Sequence, residues 1–261
     1  MTDLHATVLG DTGSPVVFCH GLFGQGKNWT QVARRLGERH RVTLLDMPDH
    51  GRSDWTERFD YPHAAAAVAA ELEEIGEPVA LVGHSMGGKI AMLVALLHPE
   101  LVERLCVVDV SPVRYRNSEE FARYMDAMLA MDLDSLESRT EADSRLTEAV
   151  PHPTVRGFLL QNLRREGGGW RWQPNLEVLR RDLEALSDWP GEDVGDRTYD
   201  GPVLWVAGAE SPYVTDEYAP TMDAIFPRNR RVTIKDAGHW VHSEQTEVFT
   251  EVLRRFVDDA G

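Results

Sequence analysis

Three short stretches of the chain combine a reactive side chain with small neighbours, and each follows an apolar run. The first is Gly83-His84-Ser85-Met86-Gly87-Gly88, between Pro78-Val-Ala-Leu-Val82 and Lys89-Ile-Ala-Met-Leu-Val-Ala-Leu-Leu97. A serine between glycines at a strand-to-helix turn is held on a sharp bend that lifts its hydroxyl above the sheet edge. The helix that follows aims its first N–H groups at the same place and favours negative charge developing there. The second stretch is His20-Gly21-Leu22-Phe23-Gly24, directly after Val16-Val-Phe-Cys19. In a design of this kind a His-Gly turn supplies the other half of an oxyanion hole. The N–H groups of Leu22 and Met86 are the expected donors, with Phe23 replacing Leu22 if the turn is read one residue later. The third stretch is Asp236-Ala237-Gly238-His239-Trp240, after Arg231-Val-Thr-Ile234. A histidine on the loop after a final strand suits the general base that takes the serine proton. His20 reads as a brace for its loop, and His84 belongs to the serine turn.

A serine–histidine pair needs an acid to orient the imidazole, and two readings compete. Asp109 ends the apolar run Leu105-Cys-Val-Val108. A carboxylate in that position is costly unless partnered, and His239 is the available partner. The plainer reading makes Asp109 a strand-terminal cap, with Glu210 or Asp216 as the acid.

These loops need strands to carry them. Short β-branched runs at 5–9, 15–19, 42–46, 79–83, 105–110, 203–207 and 231–234 alternate with helical patterns at 29–38, 61–75, 87–98, 216–226 and 244–258. Most of the runs are continuously apolar, as in central strands of a parallel sheet covered on both faces. The alternation predicts an α/β chain with helices on both sides of the sheet. It breaks once: from 112 to 200 the pattern is helical, at 118–131, 134–149, 154–165 and 176–187, with only 170–173 reading as extended. Prolines and the Gly167-Gly168-Gly169 run punctuate this stretch. Its ends lead back into strands of one sheet, so it reads as a helical cap (112–200) inserted into a core formed by 1–111 and 201–261.

Taken together, these residues resemble the α/β-hydrolase superfamily over nearly the whole chain. Asp46-x-x-x-His50-Gly51-x-Ser53 joins the three motifs in carrying that likeness. His20-Gly-Leu-Phe-Gly24 with Asn28-Trp29, Gly83 to Lys89 with Ala91-Met92, Val107-Val-Asp-Val-Ser-Pro112 and Ser211-Pro-Tyr-Val214 are similar to a narrower branch of small bacterial esterases and thioesterases with mitochondrial relatives. The superfamily implies a mostly parallel sheet with the cap after the sixth strand of the fold, which is the fifth major strand read here. It also implies an acid after the strand at 203–207, where this chain has Ser211. The narrower branch implies an acid moved one strand earlier. The expected triad is therefore Ser85–His239–Asp109, with Ser211 supporting the imidazole. Phe23, His84, Tyr213 and Trp240 are the expected pocket walls, joined by some cap aromatics.

The implied activity is hydrolysis of carboxylic esters or thioesters, with short to medium acyl chains, through an acyl-enzyme on Ser85. Other enzymes of the superfamily use the same triad: C–C bond hydrolases, cofactor-free perhydrolases and a lyase of quinone synthesis. A non-catalytic receptor built on the fold is the rival of another class. Serine at the turn weighs against haloalkane dehalogenases and epoxide hydrolases, which place aspartate there. No metal or cofactor is expected.

Composition bounds the rest. The 261 residues hold 27 basic and 43 acidic side chains, a formal charge of -16, with only three lysines (Lys27, Lys89 and Lys235). Such a surface favours solubility through self-repulsion and weighs against nucleic acid or an anionic membrane as partner. It also favours neutral esters over highly anionic ones, unless arginines of the cap reverse the field locally. Cys19 and Cys106 lie in apolar strands and read as buried free thiols, consistent with a reducing cytoplasm. The first residues read as no signal peptide, and no apolar run reaches membrane-spanning length. A monomer or homodimer is expected.

Overall fold

The computed structural model describes residues 2–116 and 118–259, so the outer bounds of the expected core, Met1 and Gly261, lie outside the described residues. One sheet contains β1 (Ala6–Leu9), β2 (Pro15–Cys19), β3 (Arg41–Leu45), β4 (Val79–His84), β5 (Val102–Val108), β8 (Val203–Gly208) and β9 (Asn229–Ile234). The intervening β6 (Leu163–Glu166) and β7 (Gly169–Trp172) form a separate antiparallel hairpin. The sheet runs β1-β3-β2-β4-β5-β8-β9, and only the edge strand β1 is antiparallel to its neighbour. Strands β2, β4 and β8 are buried at every residue, as continuous apolar runs require when helices cover both faces.

The helices are α1 (Thr30–Leu36), α2 (Tyr61–Ile75), α3 (Met86–Leu97), α4 (Glu119–Leu129), α5 (Arg139–Leu146), α6 (Pro153–Leu160), α7 (Leu176–Arg181), α8 (Leu183–Ser187), α9 (Gly191–Val194), α10 (Ala219–Ile225), α11 (Val241–Glu244) and α12 (Thr246–Asp258). Val32 and Leu36 of α1 pack with Phe249 and Leu253 of α12 on one face of the sheet. On the other face α2 and α3 pack with residues of the inserted segment. Among the described residues no helix is long and apolar enough to cross a membrane.

The parallel registers pair Cys19 with Gly83, Gly83 with Val107, Val108 with Val206 and Gly208 with Ile234. The C-terminal ends of five strands are thus level, and their following loops leave from one edge. Parallel α/β sheets place ligands along this edge.

The sheet follows the sequence closely; the stretch between β5 and β8 departs from it. The helix expected over 118–131 is shorter at both ends, and that over 134–149 is confined to Arg139–Leu146. The helix expected over 154–165 ends at Leu160, and Leu163–Glu166 becomes a strand. Val155, Leu159 and Leu163 do recur at helical spacing, but Gly167 and Gly168 take positive φ (60° and 90°) and fold 163–172 into a hairpin. The helix expected over 176–187 is two helices parted at Asp182, whose carboxylate accepts the Phe59 N–H at 2.8 Å.

Candidate active site

The turn after β4 carries Ser85 at φ 53° and ψ -119°, a conformation that L-residues seldom adopt. Close packing enforces it. A Cβ on Gly83 would lie 2.3 Å from the Gly87 carbonyl oxygen, and one on Gly87 would lie 2.4 Å from the His20 carbonyl oxygen. Only glycine at both places lets α3 start this close to β4 and β2. Ser85 is therefore presented at the tip of the turn, with the Met86 N–H at the first turn of α3.

Asp109 leaves the strand at φ 52°, so the expected strand 105–110 ends at Val108. Its side chain is fully buried. One carboxylate oxygen accepts the Gly208 N–H at 3.1 Å; the other accepts His239 Nδ1–H at 2.7 Å and a short hydrogen bond from Ser211 Oγ. Since His239 Nδ1 donates to Asp109, Nε2 holds the lone pair. That nitrogen lies 3.1 Å from Ser85 Oγ and can accept its proton. Ser85, His239 and Asp109 thus form one hydrogen-bonded chain; Ser211, expected to bond the imidazole, instead donates to the Asp109 carboxylate and supports His239 only through that acid. Glu210 and Asp216, the rival acids, are exposed.

The His-Gly turn after β2 packs onto the serine turn: a Cβ on Gly21 would lie 2.7 Å from His84 Nδ1 and 3.1 Å from Ser85 Cβ. The Phe23 N–H is donated to His50 Nε2 at 3.2 Å, which removes Phe23 as the alternative oxyanion donor. Among the hydrogen bonds of the described residues, the Leu22 N–H has no acceptor. His20 is a brace: Nε2 accepts the Met47 N–H at 2.9 Å, and Nδ1 donates to the Gly21 carbonyl at 2.8 Å. Burial, reinforced by His50, holds its pKa down at about 3, so it stays neutral. Asp46 and Ser53 are also structural. Asp46 accepts the Gly26 and Arg52 N–H groups at 2.7 and 2.9 Å, and Ser53 Oγ donates to the Asp46 carbonyl at 2.6 Å.

Of the expected pocket residues, Phe23, His84 and Trp240 line one cleft that reaches Ser85, and Tyr213 lines a second. His84 also fixes the base: its Nε2 donates to the His239 carbonyl at 2.8 Å, and burial keeps its pKa well below the usual histidine value. Sequence reasoning missed two residues. Tyr115 donates from its hydroxyl to the Tyr213 carbonyl at 2.7 Å and stands in the second cleft. Lys89, an early residue of the helix after the serine turn to which the sequence assigns no catalytic role, is buried in that cleft's wall. Its position inside an otherwise apolar helix was the available signal. Among the described residues no cluster of three or more His, Cys, Asp or Glu side chains is arranged to hold a metal.

Residues 14–246 match the family model described as the alpha/beta hydrolase fold. The chain belongs to the α/β-hydrolase family. Within this family it is 39% identical over 255 residues to the sn-1-specific diacylglycerol lipase ABHD11 of Xenopus laevis, covering 95% of this chain and 81% of that one. It is 32% identical to esterase YbfF of Escherichia coli, with 94% of each chain covered. Among solved α/β-hydrolases, a marine microorganism esterase superposes with a TM-score of 0.94 at 30% identity, over 98% of this chain and all of the other.

Proposed function

We propose that this α/β-hydrolase, a carboxylic ester hydrolase by kinship, works through an acyl-enzyme on Ser85. The observation that carries the mechanism is the unbroken chain from Ser85 Oγ to His239 Nε2, and from His239 Nδ1 to the buried Asp109 carboxylate. His239 takes the Ser85 proton as Oγ attacks the acyl carbonyl carbon. Asp109 holds the imidazole tautomer and stabilises the imidazolium. The N–H groups of Leu22 and Met86 receive the oxyanion, each worth about 3–4 kcal/mol in the transition state. His239 then protonates the leaving alcohol or thiol, and a water activated by the same imidazole releases the acid.

The insertion 112–200 acts as a cap in this reading, because Phe121, Leu183 and Leu186 close the cleft over Ser85. Leu22, Met86 and Val110 face that cleft from the core. This apolar lining suits an acyl chain, read here as short to medium, and oxygen and thiol leaving groups are both compatible with it. The name of the Xenopus relative makes acylglycerols one class worth testing.

The test is a panel of p-nitrophenyl esters of increasing chain length alongside acyl-CoA thioesters, with intact-protein mass measured after rapid quenching. Turnover with an acyl mass increment on Ser85 is expected, and Ser85→Ala should lower kcat by about 10⁴-fold or more. Turnover that survives in Ser85→Ala would overturn the mechanism. Labelling by a fluorophosphonate without turnover of any ester would instead make the protein a receptor.

A further inference from the structure

Lys89 stands where a lysine is disfavoured twice. It follows the first turn of α3, close to the positive end of the helix dipole. Its side chain is also buried, with the residue 2% exposed, whereas Lys27 and Lys235 are exposed. The amine nevertheless lies at a wall of the catalytic cleft. Nζ donates to the carbonyls of Ser187 and Asp188 at 3.1 and 2.6 Å, and it sits 4.9 Å from the Tyr115 ring centroid and 5.7 Å from that of Tyr61. Tyr61, Tyr115 and Ser187 all line the cleft that holds Ser85.

An ammonium has three N–H donors, and the two carbonyls take two of them. Among the described residues no carboxylate pairs with Nζ: that of Asp188 accepts the Trp189 N–H and lies 3.6 Å from Arg114. The aromatic faces of Tyr61 and Tyr115 favour the cation without giving it an oxygen. Burial pushes the amine down to about 7, against a smaller opposing effect of Asp188, as it does for a cation short of its counter-charge. A tether for the insertion would need only a neutral donor, and an exposed lysine would need no cleft.

We propose that Lys89 is the specificity residue of the acyl pocket, its third N–H receiving the terminal carboxylate of a dicarboxylic half-ester or half-thioester whose carbonyl lies at Ser85. The inference rests on the hydrolytic reading above and names its acyl group. Ser85 caps the start of α3 and Lys89 follows four residues on, its N–H donated to the Ser85 carbonyl at 3.1 Å, and both side chains line the cleft. The methylenes of the acyl chain then cross the apolar stretch between them, along Met86, Val110 and Leu186. In a chain of formal charge -16, a cation buried in the wall of this cleft offsets the negative field there and favours one carboxylate at one depth.

The experiment compares mono-p-nitrophenyl esters of glutaric, adipic, pimelic and suberic acids with the methyl-ended p-nitrophenyl esters of equal chain length. Wild-type enzyme should prefer the carboxylate-ended ester at one chain length, chiefly through a lower KM. Lys89→Met should reduce that ratio of kcat/KM about 10- to 100-fold, the range for a hydrogen bond to a charged group. Lys89→Arg should retain a preference, displaced in chain length. The ratio is taken within one preparation, so a loss of folded enzyme does not move it. An unchanged ratio in Lys89→Met overturns the proposal. So does a wild-type enzyme without preference at any length, which needs no variant to fold. If wild-type enzyme turns over neither series nor any other ester, the hydrolytic reading itself has failed.

Discussion

Asp109 and Ser85 both occupy backbone that L-residues rarely adopt, as do Phe23, Asp49 and Asp236 on neighbouring loops. Each such conformation costs about 1–3 kcal/mol and persists only where the surroundings hold it. For Asp109 the hold is chemical, through Gly208 N–H, Ser211 Oγ and His239 Nδ1. Replacing Asp109 with Asn removes the charge and can turn an amide donor towards His239, favouring the wrong tautomer. Steady-state kinetics of Asp109→Asn should show kcat about 10⁴-fold lower. Ser211→Ala deletes one of three donors and leaves the imidazole contact, so a fall of about 10-fold in kcat with KM nearly unchanged is expected, the loss of one charge-assisted hydrogen bond. If Asp216→Asn proved the inactive variant instead, the assignment of the acid to Asp109 would be wrong. Sequence alone left this choice open, because the partner that makes a buried Asp109 tolerable lies 130 residues away and is seen only once the strand ends are aligned.

At the level of the elements, β4, its turn and α3 form a closely packed unit, with backbone against backbone at Gly83 and Gly87. Gly83→Ala would drive a Cβ into the Gly87 carbonyl and Gly88, and backbone cannot yield as a side-chain tip does. Destabilisation of about 2–3 kcal/mol is expected in urea unfolding, with activity lost more steeply than stability. A variant of wild-type stability would show that the turn opens without penalty. This unit was legible in the sequence, since an apolar run, a glycine-flanked serine and a second apolar run each specify one part of it. The central strands were legible for a related reason: burial on both faces leaves no polar alternation to confuse them. Bounds were less so at β5, where the expected strand runs through Asp109 to Val110 but the chain leaves the sheet at Asp109 to meet His239 and Ser211. The hairpin of β6 and β7 was hidden because Leu163 continues the helical spacing of Val155 and Leu159, while the glycines that overrule it lie beyond the apolar positions. Lys89 escaped because the carbonyls that hold its amine, those of Ser187 and Asp188, lie about a hundred residues away in the chain.

Over the whole molecule, several buried histidines are held neutral. Burial lowers the pKa of His20 and His242 to about 3 and also depresses those of His50 and His84. In the unfolded chain each takes up a proton near pH 6.5, so the folded state is favoured fully above that pH and progressively less as pH falls towards 3. Each group contributes a slope of about 1.4 kcal/mol per pH unit in that window. Urea midpoints should therefore drop between pH 7 and pH 5. His242→Phe, which keeps the stacking on Trp29 at 4.1 Å, should show a shallower drop; an equal slope would mean that His242 does not contribute.

The pairing of β5 with β8 has a kinetic meaning. Leu105 pairs in register with Val203, and closing a loop of roughly a hundred residues delays that contact relative to local ones. Asp109 directly follows one of these strands, Gly208 ends the other, and Ser211 lies on the loop after it. Helices and the serine turn can form before this closure, but the acid cannot be presented to His239 until it is complete. In refolding, recovery of esterase activity should trail recovery of helical circular dichroism, so that catalysis reports the last long-range step of assembly.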